Sequence, residues 1–187
     1  MKVDLTTCQN FEQALGLEWL ETNGRGGFSS GTVGGANTRR YHALLLTARK
    51  PPSERFVLVN HLEEWIDIEG PSYPLSTNLY PNTIHPEGHK QCTGFTTDPW
   101  PTWTYDCHGT VVQREVFCVR DRDLVVIRWT LAGKTALRTF LSKPCRSILY
   151  LGEPGDPSET SHTNQPQPEA IWLLGHTTGP GSLVIHS

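Results

Sequence analysis

The fold is decided by the segment Thr110–Leu131, which reads TVVQREVFCVRDRDLVVIRWTL. Apolar and polar side chains alternate in its first half, and the alternation resumes after the polar residues 121–123. Alternation of this kind places every second side chain on one face of a β-strand, and two such runs around a short polar turn predict an antiparallel hairpin. The residues expected on the buried face are Val112, Val116, Cys118, Val125, Ile127, Trp129 and Leu131.

The same kind of pattern extends along the chain in both directions. Arg39–Lys50 alternates, Arg55–Ile68 is apolar and rich in β-branched residues, and Ala136–Leu141 is typical of a further strand. Residues 10–21 can hold a short helix, which Gly16 is expected to end. Short strands separated by frequent turn signals predict an all-β fold, an antiparallel β-sandwich with one or two short helices.

The character of the sequence changes after Leu141. Residues 142–187 are rich in proline, serine and threonine, a composition that forms a poor hydrophobic core. They contain two short apolar stretches, Ile171–Leu174 and Leu183–Ile185, for which both a strand and irregular structure stay open. We therefore predict a β-sandwich domain over residues 1–141 and a divergent tail over residues 142–187. The sequence does not decide whether that tail folds or is partly disordered.

Composition argues against a nucleic-acid-binding, membrane or disulfide-rich secreted protein. The 187 residues carry a formal net charge of −3, which gives no basic surface for a nucleic acid. There is no apolar run long enough to cross a membrane and no signal-peptide core, so we expect a cytoplasmic protein without a membrane partner. The five cysteines form no CxxC pair and are expected to be reduced, mostly buried thiols. We expect no cofactor.

Three blocks of sequence carry a resemblance to a known family. The longest, residues 18–45, reads EWLETNGRGGFSSGTVGGANTRRYHALL. The second, residues 51–64, reads PPSERFVLVNHLEE, and the third combines Pro86–His89 with Phe95–Tyr105, FTTDPWPTWTY. In this order, within about residues 12–141, the blocks resemble the amino-terminal domain of bacterial and archaeal glycogen debranching enzymes, the amylo-α-1,6-glucosidase family.

The resemblance implies a large, supersandwich-like pair of sheets that packs against a catalytic (α/α)6 barrel. In glycogen catabolism, members of this family of glycosidases remove α-1,6 branch points, alongside 4-α-glucan transfer, and their hydrolytic carboxylates belong to the barrel. We expect this chain to lack the barrel, to be inactive alone, and to contribute binding of α-glucan (glycogen or limit dextrin) and docking to the barrel in cis or in trans. Two alternatives stay open, an independent glucan-binding module and a truncated, non-functional fragment.

The glycine-rich block contains the first candidate site residues. No GK[ST] follows its glycines, which argues against a phosphate loop and favours tight reversals between strands or close approach to a partner surface or a sugar. Arg40 and His42 share a strand face with apolar residues, so at least one should be partly buried, with Glu63 or Glu64 as the partner of the arginine. The segment Thr38–His42 can thus serve a hydrogen-bond network, a docking surface or direct sugar contact.

The aromatic segment Asp98–Tyr105 is the second candidate. Aromatic rings stack on the apolar C–H faces of pyranose rings, so Trp100 and Trp103 can contact glucan. In the alternative interpretation, Trp103 and Tyr105 belong to the core of the sandwich.

A metal site and a hydrolytic site are not indicated. His85, His89 and Cys92 lack a fourth ligand and a regular scaffold. Glu63 and Glu64 are adjacent, so on a strand they point to opposite faces and cannot form the acid–base pair that glycoside hydrolysis requires. We therefore expect no catalytic residue here, and substrate-binding or docking residues among Asn23, Arg39, Arg40, Tyr41, His42, Trp100 and Trp103.

Overall fold

The computed structural model describes most of the chain, namely residues 1–6, 11–36, 42–50, 54–59, 62–80, 83–131, 135–141, 172–174 and 181–186. Three residues of the predicted site, Arg39, Arg40 and Tyr41, lie outside the described residues. The same holds for Cys8 and Cys145, and for most of the predicted tail.

The described residues form short strands, one α-helix and one 3₁₀ helix. The helices are α1, Phe11–Leu15, and the 3₁₀ helix Gly88–Lys90. The strands are β1 Lys2–Asp4, β2 Glu18–Thr22, β3 Phe28–Thr32, β4 Ala43–Lys50, β5 Glu54–Val59, β6 Leu62–Ile68, β7 Ser72–Pro74, β8 Thr77–Tyr80, β9 Thr83–Glu87, β10 Cys92–Thr96, β11 Thr102–Cys107, β12 Thr110–Cys118, β13 Leu124–Leu131, β14 Thr135–Leu141, β15 Trp172–Leu174 and β16 Gly181–His186.

These strands pair in four antiparallel sheets. The largest has seven strands in the order β1-β10-β11-β12-β13-β16-β15. A four-stranded sheet has the order β2-β3-β4-β5, a three-stranded sheet β14-β6-β7, and β8 pairs with β9. Buried side chains from the large sheet and from the smaller sheets form one hydrophobic core. The prediction of an all-β, antiparallel fold with one or two short helices is confirmed.

The hairpin predicted over Thr110–Leu131 is present. β12 and β13 pair from Val112 opposite Leu131 to Cys118 opposite Val125. Five of the seven side chains expected on the buried face are buried, including Trp129 at 2 % exposure, while Cys118 and Leu131 near the strand ends are partly buried. The alternation is strong because one face of both strands packs on the core while the other meets solvent.

The other predicted segments contain strands and a helix with narrower bounds. Arg55–Ile68 includes most of β5 and all of β6, and residues 60–61 between them lie outside the described residues. Of the predicted strand Arg39–Lys50, the described part begins at Ala43, and His42 precedes it. The predicted helix is confined to Phe11–Leu15, where the backbone N–H of Gly16 donates to the carbonyl of Glu12 and closes the last turn.

The late strands join the main sheet. β16 pairs along β13 from Leu124 opposite His186 to Trp129 opposite Gly181, and β15 pairs with β16. Both apolar stretches that the sequence left undecided therefore contain strands. In the described part of the chain no helix is long and apolar enough to span a bilayer.

Candidate functional site

A row of large side chains crosses the inner face of the seven-stranded sheet. Phe95, Trp103, Arg114 and Trp129 occupy mutually opposed positions on four adjacent strands. The Phe95 and Trp103 rings lie 5.0 Å apart, and the Arg114 guanidinium carbon lies 5.2 Å from the centre of the Trp103 ring. Cross-strand neighbours of this kind stabilise a sheet, and a cation over an indole face adds electrostatic attraction.

Glu64 reaches this row from the three-stranded sheet. The Nε of Arg114 donates to both carboxylate oxygens of Glu64, at 2.9 and 2.8 Å. The two side chains are 11 % and 3 % exposed. Burial is the largest single influence on Arg114 and lowers its pKa, but the charges of Glu64 and Tyr105 and the hydrogen bonds to Glu64 together raise the net pKa. Each side chain neutralises the buried charge of the other, and because the two lie on different sheets, the ion pair links the layers of the sandwich.

Glu63 or Glu64 was expected to be the partner of a buried arginine in the Thr38–His42 segment, whereas in the structure Glu64 pairs with Arg114 and Glu63 accepts from Asn78. Arg40 itself lies outside the described residues. Arg114 was missed by the sequence analysis, although a signal was present. It lies midway between Val112 and Val116 on the buried face of a confirmed strand, where a charged residue requires a partner.

A small pocket with a volume of about 40 Å³ lies beside the ion pair. Its lining includes Trp19, Glu64, Trp103, Tyr105 and Arg114. The Trp19 and Trp103 rings meet edge to face, with centroids 5.3 Å apart. Burial raises the pKa of Tyr105 well above its usual value. The indole N–H of Trp19 is buried and has no hydrogen-bond partner among the described residues.

Trp103, one of the predicted site residues, belongs to the core. It is 2 % exposed, and its indole N–H donates to the carbonyl of Val33 at 2.8 Å. A ring that is buried to this extent has no exposed face on which a sugar could stack. Trp103 therefore belongs to the core of the sandwich, as does Tyr105, which is 3 % exposed.

Asn23 is a buried connector between two turns. Its Oδ1 accepts the backbone N–H groups of Arg25 and Gly27, and its Nδ2 donates to the carbonyl of Arg122 and to a carboxylate oxygen of Asp123. The side chain is therefore fully engaged in holding the β2–β3 turn against the β12–β13 turn. Within the β2–β3 turn, Gly24 and Gly26 adopt φ of 78° and 90°, which confirms the expectation of tight reversals at these glycines.

Trp100 lies at the surface, and its ring packs at a tilt against the ring of Phe117. The two ring centroids are 5.2 Å apart at an interplanar angle of 30°. Trp100 is 36 % exposed, and Phe117, on the outward face of β12, is partly exposed. We call this pair the Trp100–Phe117 platform. It is the aromatic surface of the predicted segment that remains available to a ligand.

His42 lies apart from these residues. Its Nε2 is 3.6 Å from a carboxylate oxygen of Glu18, at the start of β2, and its side chain is fully buried. Asn23 follows the other end of β2, roughly 16 Å away at about 3.3 Å per residue. The structure thus brings Asn23 and Trp100 to the turn end of the β12–β13 hairpin and leaves His42 at the opposite end of β2.

The three described cysteines have raised pKa values; Cys107 is buried, and Cys92 and Cys118 are partly buried. Burial raises the pKa of Cys92 and Cys118 to about 12 and that of Cys107 to about 11, and all three are free thiols. Among the described residues, no cluster of three or more histidine, cysteine or carboxylate side chains could hold a metal ion.

Comparison with known proteins connects this architecture to a family. The family model described as "Glycogen debranching enzyme N terminal" matches residues 17–172, most of the chain. No curated protein matched the chain, and no solved structure did. The match includes the β2–β3 turn held by Asn23, both partners of the Glu64–Arg114 ion pair and the Trp100–Phe117 platform. The chain therefore belongs to the glycogen debranching enzyme N-terminal family.

Proposed function

We propose that this protein is the non-catalytic amino-terminal sandwich of a glycogen debranching enzyme and that it contacts α-glucan through the Trp100–Phe117 platform. The observation that supports this most directly is the exposed aromatic pair, with ring centroids 5.2 Å apart, on the outer face of the large sheet. A sugar ring can stack on a partly exposed indole through its apolar C–H face. We place this role in the cytoplasm, within glycogen breakdown.

The surroundings of the platform suit a polar polymer. On the same outer face, the guanidinium of Arg128 forms two hydrogen bonds with the carboxylate of Glu115, one of them 2.8 Å long. Arg128 is partly exposed, so its remaining donors can reach hydroxyl groups beside a stacked ring. The platform is also preorganised, because Thr102 donates its hydroxyl to the carbonyl of Trp100 at 2.9 Å. Preorganisation reduces the entropy that is lost on binding.

Hydrolysis is assigned to a catalytic barrel elsewhere in the enzyme rather than to these residues. Glu64 is held by Arg114, while Glu63 accepts a hydrogen bond from the Asn78 amide at 3.0 Å. A glycosidase needs one carboxylic acid and one carboxylate facing a shared substrate. We therefore expect the purified chain to release no glucose from limit dextrin. Release that disappears on replacement of a single carboxylate of this chain would overturn that assignment.

Affinity electrophoresis in gels containing glycogen tests the glucan contact. One indole offers a modest contact, so we expect retardation that corresponds to about millimolar affinity, or about −4 kcal/mol. Trp100→Ala and Phe117→Ala should abolish the retardation. Val111→Ala is the matched control, because Val111 is a 51 % exposed apolar residue of the same strand as Phe117 but lies near its other end. A wild-type chain that is not retarded would exclude direct glucan contact.

Docking to the (α/α)6 barrel is the second role that we propose, and exposed apolar side chains near strand β2 favour it. Leu20, on β2, is 59 % exposed, and the preceding Leu17 is 38 % exposed. Among the described strands, β2 is an edge strand of its four-stranded sheet, and its Leu20 side chain is exposed for contact with another domain.

Titration with a separately produced barrel of the same family tests this role. We expect Leu20→Ser to weaken the association, and Val111→Ser to leave it unchanged. If neither substitution matters while glycogen still retards the chain, an independent glucan-binding module is the better description. A chain that binds neither partner would fit a non-functional fragment.

A further inference from the structure

The β2–β3 turn contains the single Asn–Gly pair of the sequence, Asn23–Gly24. In a flexible chain such a pair deamidates spontaneously, because glycine has no Cβ that would keep its backbone nitrogen away from the asparagine side chain. The backbone nitrogen of Gly24 attacks Cγ of Asn23 and loses its proton to water. The bond between Cγ and Nδ2 breaks, ammonia leaves, and water opens the resulting succinimide ring to aspartate or isoaspartate.

Hydrogen bonds hold both ends of the Asn23 amide in the folded chain. Oδ1 accepts the N–H groups of Arg25 and Gly27 at 2.8 and 3.0 Å. Nδ2 donates to the carbonyl of Arg122 at 3.0 Å and to a carboxylate oxygen of Asp123 at 2.9 Å. The succinimide ring is nearly flat, so Cγ must turn from a staggered rotamer until it eclipses the backbone carbonyl carbon. That rotation would break these hydrogen bonds together.

The surroundings of Asn23 leave little room for such a rotation. The residue is 1 % exposed. Its amide packs directly on the backbone of the turn, since a Cβ at Gly27 would lie 2.6 Å from Nδ2. The attacking nitrogen is engaged as well, because the Gly24 N–H donates to the hydroxyl of Thr22 at 3.1 Å. Opening of the turn must therefore precede deamidation.

The products do not fit the hydrogen bonds that hold the amide. In aspartate an oxygen replaces Nδ2 and faces the Asp123 carboxylate and the Arg122 carbonyl, which are both acceptors. Two carboxylates at this separation repel each other, and a buried acceptor without a donor is costly. Isoaspartate adds a backbone carbon within a turn that the Asn23 N–H closes by donating to the carbonyl of Gly27 at 3.0 Å.

We propose that Asn23 is a deamidation site that the folded sandwich keeps inactive and that becomes reactive when the β2–β3 turn opens away from the β12–β13 turn. A chain modified in the opened state loses the hydrogen bonds that join the two turns. The modification therefore accumulates with the time spent open, and a modified chain keeps the loosened turn after the conditions that opened it have passed.

Peptide mass spectrometry of the whole chain after incubation in mildly alkaline buffer tests the proposal. The converted fraction of Asn23 is followed over time in the folded chain and in the chain unfolded by guanidinium chloride. We expect conversion to be at least about tenfold slower in the folded chain, which corresponds to ~1.4 kcal/mol of local stability. In sub-denaturing guanidinium chloride the rate should rise in parallel with hydrogen exchange at the amides of Arg25 and Gly27.

Variants of the two turns separate the individual contacts. Asp123→Ala removes one acceptor of Nδ2 and should raise the rate in the folded chain about two- to tenfold, the effect of one hydrogen bond of ordinary strength. Asp121→Asn is the matched control and should leave the rate unchanged, because the Asp121 carboxylate is 72 % exposed and asparagine tolerates its φ of 61°.

The product can be tested directly with Asn23→Asp, which should lower the denaturation midpoint of the chain. Adding Asp123→Asn should recover part of that loss, because an amide at position 123 can donate to the new carboxylate. A general weakening of the turn would not be repaired in this way.

Several results would overturn the proposal. Equal conversion in the folded and unfolded chains would show that the fold gives no protection. A folded-state rate that does not follow exchange at Arg25 and Gly27 would separate the reaction from opening of the turn. A wild-type midpoint in Asn23→Asp would show that the product fits the turn. If Asp123→Ala does not fold, the guanidinium series on the wild-type chain still decides.

Discussion

Arg114 and Glu64 join the two layers of the sandwich, with Nε of the arginine 2.8 Å from one carboxylate oxygen and 2.9 Å from the other. The arginine also lies against the Trp103 ring. The ion pair is therefore the polar centre of an otherwise apolar interface, and its loss should affect the whole fold.

Glu64→Gln should destabilise the protein by about 3–5 kcal/mol, since it leaves the buried guanidinium without a counter-charge. The free energy of unfolding in urea is the measurement. Glu115→Gln is the matched control, because its partner Arg128 is 47 % exposed and such a pair contributes about 0–1 kcal/mol. If the two substitutions change the free energy of unfolding equally, the interlayer pair contributes no more to stability than the exposed pair.

Trp129→Ala should cost about 3–5 kcal/mol, because Trp129 is 2 % exposed on the buried face of the best-defined hairpin. Its truncation leaves a cavity next to Arg114. Trp100→Ala, at a 36 % exposed position, should change the denaturation midpoint far less. An unchanged midpoint in Trp129→Ala would contradict its place in the core.

Gly88→Ala should destabilise by at least about 1–3 kcal/mol, the usual penalty of overpacking. A Cβ there would lie 2.4 Å from the backbone carbonyl atoms of Leu75, which cannot move freely because the Leu75 N–H donates to the carbonyl of Glu64. Gly94→Ala is the control, since its nearest contact would be an ordinary 3.7 Å. The measurement is the midpoint of thermal unfolding, which should fall more in Gly88→Ala than in Gly94→Ala. Equal midpoints would show that the Gly88 site has room for a Cβ atom.

Asn23→Ala should cost about 1–3 kcal/mol and loosen both turns, because buried backbone groups lose their partners. Hydrogen exchange should increase at the amides of Arg25 and Gly27, which donate hydrogen bonds to Oδ1 of Asn23. The control is Arg25→Ala, which removes a long contact of 3.4 Å from an exposed side chain of the same turn. Undisturbed exchange in Asn23→Ala would assign the turn geometry to the glycines alone.

The raised pKa values of the partly buried thiols Cys92 and Cys118 predict a loss of stability at high pH. Burial raises the pKa of Cys92 and Cys118 from an ordinary 9.0 to about 12, so above about pH 9 the unfolded chain loses thiol protons that the folded chain retains. Stability should therefore decrease as the pH rises from about 9 towards 12. Near pH 8, iodoacetamide should label these cysteines much more slowly in the folded chain than in urea. Equal labelling rates, mapped by mass spectrometry, would show that the thiols are accessible.

The features that sequence predicted are those encoded locally. The β12–β13 hairpin has its alternation and its turn within 22 residues, and Gly16 ends α1 through a contact four residues back. The adjacency of Glu63 and Glu64 is likewise local, since neighbouring residues of a strand point to opposite faces and cannot form a hydrolytic pair.

The features that sequence missed depend on distant residues. Arg114 and Glu64 are 50 positions apart, and Asn23 bonds to Arg122 and Asp123 about a hundred positions away. Arg114 lies between Val112 and Val116 on β12, but alternation within one strand does not identify a partner on another strand. It likewise left β16 open, because its partner β13 lies some fifty residues earlier, and β15 pairs only with β16.

The pairing of β13 with β16 has a consequence during protein synthesis. Until residues 181–186 have been made, β13 presents an unpaired edge, and the sheet cannot reach its full width. Contacts across such long separations form slowly, and an exposed edge recruits strands from other chains. A ribosome that pauses between β14 and β16 would therefore hold a nascent chain prone to aggregation, for which chaperone binding is most useful.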